Sequence, residues 1–259
     1  MKWAELEPSP DMVAALDAAG ERPFDGTRAD KNNWSNRFAD ACAVMVAKSV
    51  ARHPVWSKFE VRPNPDGSGR ESLTFVAGGD QKRVDVIAST LATGLQLGVS
   101  LKGMNFRDAT SGNFDKNLTG RTYELQAEVS AIHGYQPQAF LVGLFFLPLA
   151  STQDKKSGAS SFARAVAHLR ARTGRLDPTL PSQLARCDAA AIALYVPGDP
   201  EDEAQRGAVR FLDVHDAPPH RGRPRVETTL TLGKVVDRWA VQRYEAAGKS
   251  IDYVAPEDD

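Results

Sequence analysis

Arg83-Val84-Asp85-Val86-Ile87 and, a short loop later, Leu95-Gln96-Leu97-Gly98-Val99-Ser100-Leu101-Lys102 are the two stretches on which the reading of this chain turns. Both read as apolar strands, and each carries one charge. Asp85 lies inside the first, and Lys102 ends the second, seventeen positions later. A charge within a buried strand is costly unless something compensates it. Two strands close in sequence with opposite charges therefore read as neighbours aimed at one shared spot. An acid that holds a cation, with an ammonium beside an attacking water, is the equipment of metal-assisted phosphodiester hydrolysis.

Working outward, Pro10 to Leu16 reads as a short helix, and apolar Phe38, Ala41, Cys42, Met45, Val46 and Val50 recur at helical spacing from about Trp34 to Arg52. Asn32, Asn33 and Ser35 offer capping groups for this second helix, and His53-Pro54 ends it. Strands are expected over 58–62, 72–76, 82–88 and 95–106, with a turn at 64–69 and an irregular stretch over 107–118. Thr119 is expected to cap a helix running to His133, followed by a continuous apolar strand, Ala139 to Leu147, of the kind covered on both faces. A basic amphipathic helix over 162–173, strands over 189–196 and 208–214, and a final helix from Leu232 to Ala247 complete the order. That order predicts an α/β fold, a mixed sheet with helices on both faces, in a single domain over 1–259 with a core at about 30–215 and a C-terminal extension from 216.

The 259 residues suffice for a sizeable core, and a formal net charge of −1 argues against a purely electrostatic, histone-like binder and is compatible with a selective DNA enzyme. Any nucleic-acid face must come from local clustering of the 32 Lys and Arg. Cys42 and Cys187, far apart and in Ala-rich surroundings, read as buried free thiols, and no Cys/His spacing suits zinc. The start of the chain lacks an apolar signal core, and the longest apolar run is too short to span a bilayer. A cytoplasmic protein is expected. No Ser-His-Asp order, phosphate-binding Gly loop or dinucleotide fingerprint is found.

Strand alternation puts Gln96, Gly98, Ser100 and Lys102 on one face, with Leu95, Leu97, Val99 and Leu101 on the other. Asp85 is the expected anchor for a hard cation, magnesium by preference and manganese as the alternative. Lys102 would act on the attacking water or on charge building at the phosphate. With these residues in view, the chain resembles the PD-(D/E)XK, or restriction-endonuclease-like, nucleases. Their pattern is an acid on one strand, acid-any-Lys on the next, then a helix and a further strand. Here the match is Val84-Asp85, Ser100-Leu101-Lys102, the helix from Thr119 and the strand from Ala139, over roughly residues 30–150. Val84 stands where the family often has Pro, and Ser100 where it has the second acid. Some members share Ser-any-Lys and supply the acid from a Glu on the following helix. Glu124 and Glu128 both qualify, one turn apart, with Glu128 nearer the stripe Leu125, Val129, Ile132 and Glu124 nearer the helix start. Gln126 is a further inward candidate, since relatives place a Gln on this helix.

The resemblance implies a magnesium-dependent endonuclease acting on DNA as a homodimer, in a restriction or phage-defence setting. Arg107, Lys116, Arg121 and Arg164 are the expected phosphate contacts, with Lys155, Lys156 and the run His220 to Arg225 as further candidates. Two competing expectations are an inactive DNA-binding module of the same fold and a scaffold without a nucleic-acid role.

Overall fold

The computed structural model describes residues 2–69, 73–76, 80–177, 180–200 and 202–246. Helix α1, Pro10–Ala19, opens on a proline, which has the backbone angle of a first helical turn and no N–H to leave unpaired. Helix α2, Arg28–Arg52, starts well before the expected Trp34. Its cap is Thr27, whose side chain accepts from the Asp30 amide while Asp30 returns a bond to the Thr27 amide, so the Asn32, Asn33 and Ser35 caps are not used. The strands are β1 (Glu60–Arg62), β2 (Leu73–Phe75), β3 (Gln81–Arg83), β4 (Val86–Thr90), β5 (Gly94–Gly103), β6 (Phe140–Pro148), β7 (Ala189–Tyr195) and β8 (Val209–Asp213). Helices α3 (Leu118–His133), α4 (Ser161–Arg170) and α5 (Leu232–Ala246) follow β5, β6 and β8. Helix α3 starts one residue before Thr119 and has no side-chain cap. The expected ends at Ser72 and Ala247 lie outside the described residues.

Six strands form one mixed sheet in the order β1-β4-β5-β6-β7-β8, and β2 with β3 forms a separate hairpin. Strands β5, β6 and β7 run parallel, while β1, β4 and β8 join antiparallel. Every residue of β6 is buried, as a central strand covered on both faces requires. On one side, α1, α2 and α5 cover Leu97, Val99, Leu101, Val142 and Leu144. An aromatic cluster anchors this face: Phe38 lies 5.0 Å from Trp34 and 4.8 Å from Tyr195, centroid to centroid. On the other, α3 and α4 cover Leu141, Phe145, Leu147 and Ile192. Both Val235 and Trp239 of α5 are buried in the first layer, and Met12 and Leu16 of α1 join them, so segments flanking 30–215 also pack on the sheet. Both cysteines are buried free thiols, as expected. Among the described residues no helix is long and apolar enough to cross a membrane.

Two strand expectations need correction, and both bear on the site. The single strand expected over 82–88 is two strands: β3 belongs to the hairpin, β4 to the large sheet, and Asp85 sits at the break between them. Asp85 is therefore not inside a strand but at the entrance of one. The simple alternation of β5 also fails at its start. A register shift opposite Ala88 and Ser89 puts Leu95 in the layer under α3, whereas Leu97, Val99 and Leu101 face α2. Gln96 leaves the predicted row as well, accepting from Arg243 of α5.

Candidate active site

The core of the site is the tripeptide Ser100-Leu101-Lys102 at the end of β5. Ser100 and Lys102 are two apart on a strand, so their side chains leave on the same side, toward α3. Glu128, on α3, meets both of them. Lys102 Nζ lies 2.9 Å from each Glu128 carboxylate oxygen, and the Ser100 hydroxyl donates to Oε2. The Lys102 side chain keeps only 10% of its exposure and Glu128 25%, so solvent screens the pair weakly. Between them, the Leu101 amide points the other way along the sheet and donates to Asp85 Oδ2 at 2.6 Å. In register, residue 85 would face Ser100, one step beyond the Val86–Val99 pair. There β4 has not yet begun, and the Asp85 side chain takes over as acceptor.

Burial raises the Asp85 carboxyl above the usual carboxylate range. The Leu101 N–H and the Lys102 ammonium pull it back down, while the negative charge of Glu128 pushes it up again. Among the described residues no cation lies within ion-pair distance of Asp85. The Asp85 and Glu128 carboxylates and the Lys102 ammonium thus lie within electrostatic reach of one another, with Arg83 a further positive charge on Asp85. This donor set fits magnesium, which takes one or two carboxylates from a protein and completes its shell with water and phosphate oxygens. Among the described residues no group of three His, Cys, Asp or Glu side chains converges.

Close approach of α3 to the sheet makes the Glu128 contact possible, and a glycine permits that approach. Gly143 on β6 stands beside Ser100 in the parallel register. A methyl group added there would lie 2.6 Å from a Leu125 methyl of α3, closer than carbon atoms pack. The nearby Cys187 thiol is pushed well up by burial and by the charges of Asp188 and Glu128, so it is no nucleophile.

Of the two helix glutamates, only Glu128 reaches the site. Glu124 points to solvent and pairs with Arg121 at 2.8 Å. Gln126 also turns away, accepting from Arg172 of the segment after α4. Arg107, Lys116 and Arg121 line one cavity beyond the end of β5. Arg164 lies apart: it and Lys155 are both held by the nearly buried Asp115. The run His220 to Arg225 is tied down rather than projecting, since Arg221 donates to the carbonyls of Lys156 and Gly158, and Arg223 pairs with Glu203. Arg28, Lys31 and Gly143 were missed from sequence. The Thr27–Asp30 capping box carried the signal for an earlier start of α2; nothing local marks Gly143. Comparison with protein-family models, with curated proteins and with solved structures finds no match for this chain.

Proposed function

We propose that this chain is a magnesium-dependent deoxyribonuclease of the restriction-endonuclease-like type, in its Ser-any-Lys form. One observation carries the reading: a helix glutamate is bonded both to Lys102 and to the serine that stands in the second acid's place, and Asp85 accepts from the backbone amide between those two residues. Asp85 and Glu128 would hold the cation. When bound, magnesium polarises the scissile phosphate and lowers the pKa of a water on it. Lys102, held by Glu128 in a partly buried position, offers positive charge to the phosphate and N–H donors to the attacking water. Ser100 is a positioning residue, fixing the Glu128 carboxylate by its hydroxyl. A homodimer, two such sites cutting two strands, belongs to the same proposal, as does a role in restriction or phage defence.

The test is nicking of supercoiled plasmid with magnesium or manganese. The native chain should cut and lose activity with chelator, and Lys102→Ala should reduce cutting by roughly a hundredfold or more, as for removal of a charge stabiliser in a water-poor site. DNA binding that survives with no cleavage under either metal supports the second reading, an inactive module. Tight engagement of Glu128 by Lys102 and Ser100 is the feature that favours that reading.

A further inference from the structure

Beyond the end of β5 lies a cavity of about 780 Å³ whose lining is unusual for this molecule. Five of its residues are cationic, Arg28, Lys31, Arg107, Lys116 and Arg121, against one acid, Asp108. The three other surface cavities described show no such excess. One has equal numbers of acids and of Arg and Lys, and acids outnumber Arg and Lys in the other two. Asp108 is already engaged by Lys116. Arg121 pairs with Glu124 outside the lining, whereas among the described residues no acid lies within ion-pair distance of Arg28 or Lys31. The lining cations come from three elements: the first turn of α2, the loop after β5, and the start of α3. Lys31 lies over the Phe106 ring at 5.8 Å and Arg107 over Phe114 at 4.8 Å, so aromatic faces hold two of the charges in the opening. Gly103 also lines the cavity, and it follows Lys102 directly.

From this we infer that the cavity is the entry track for the DNA strand, with Arg28 and Lys31 of α2 as backbone-phosphate contacts that guide the strand toward Lys102. The inference rests on the nuclease reading for its substrate. Its physical basis is separate: like charges gathered in one concave surface repel one another and raise the local anion concentration, so a polyanion threaded through it is favoured. Phosphate contacts of this kind supply affinity without reading sequence, and each one adds to the salt dependence of binding.

The experiment is titration of a short labelled DNA duplex, without divalent metal, over a series of salt concentrations. It compares the full native chain, Arg28→Ala/Lys31→Ala, and Arg52→Ala/Lys234→Ala from a cavity in which acids outnumber Arg and Lys. The α2 pair should weaken binding roughly tenfold and lower the salt slope by about 2, whereas the control pair should change neither. Unchanged affinity and slope in the α2 pair would overturn the inference, as would a native chain that binds inorganic phosphate but no duplex. Cleavage with magnesium separates the two claims. A native chain that cuts, with an α2 pair that binds and cuts equally well, removes the track and leaves the nuclease. Loss of affinity in the α2 pair of a chain that never cuts removes the nuclease and leaves the track.

Discussion

Asp85 and Asp188 occupy equivalent places in two halves of the sheet, and their difference marks out the site. Each is the last residue before a strand, β4 for one and β7 for the other. Each accepts from the amide of a neighbouring strand, Leu101 at 2.6 Å and Leu141 at 2.7 Å. Asp188 is then fully answered: Arg175 lies 3.0 Å away, itself 6% exposed, and His133 approaches at 3.3 Å. Asp85 has the amide, the more distant charges of Arg83 and of a lysine committed to another acid, and a raised affinity for its proton. A buried acid with its own arginine is part of the framework. A buried acid without one, next to a second acid, leaves a place for a cation that the fold does not supply.

The largest effect expected from this contrast is on stability. Asp188→Asn leaves Arg175 buried without a counter-charge and should cost about 3–5 kcal/mol in denaturant unfolding. Asp85→Asn keeps an oxygen for the Leu101 amide and should cost little. Equal losses at both positions would erase the distinction.

Next comes the pH dependence. Because folding raises the proton affinity of Asp85, the folded state holds that proton more tightly than the unfolded chain, and stability falls as pH climbs from the ordinary value of 3.8 through the raised one. Asp85→Asn should therefore match or exceed the native chain in stability at neutral pH, with the advantage fading at pH 3.8 and below. Magnesium should raise the melting temperature of the native chain at neutral pH and leave that of Asp85→Asn unmoved. A native melting curve indifferent to magnesium would count against the empty-acid reading of Asp85.

The smallest effect separates the two helix glutamates. Glu124→Gln removes an exposed pair with Arg121 and should shift stability by no more than about 0.5 kcal/mol, with plasmid cleavage unchanged. Glu128→Gln should abolish cleavage while the chain stays folded by circular dichroism. If Glu124→Gln also stopped cleavage, the placement of the acid on α3 would need revision.

Much of the fold was legible because its signals are local. The run from Ala139 could only be a doubly covered strand, and α2 announced itself by its spacing. The break at Asp85 was not legible. Val84 to Ile87 alternates like any strand, and only the departure of β3 into its own hairpin shows that the large sheet begins at Val86. The bulge opposite Ser89 is equally silent in sequence, being a matter of how two strands pair. In the site, Asp85, Ser100 and Lys102 could be singled out by charge and spacing. The choice between Glu124 and Glu128 could not, since both lie one turn apart on the same side of α3 and only the packed helix shows which side chain reaches Lys102. Among the cations, the ion pairs that hold Arg164 and tie down the 220–225 run join residues tens of positions apart, beyond any local pattern.

What the sequence determined by itself is the α/β order of elements and the candidate chemistry of Asp85 and Lys102, because hydrophobic period and misplaced charge act over a few residues. Tertiary structure alone decided that Glu128 and not Glu124 joins them, that Asp85 goes unanswered where Asp188 does not, and that Arg28 and Lys31 gather with the cations after β5. Each of these depends on the distance between elements once packed, set here by contacts such as Gly143 under Leu125, and no property of a single segment encodes that distance.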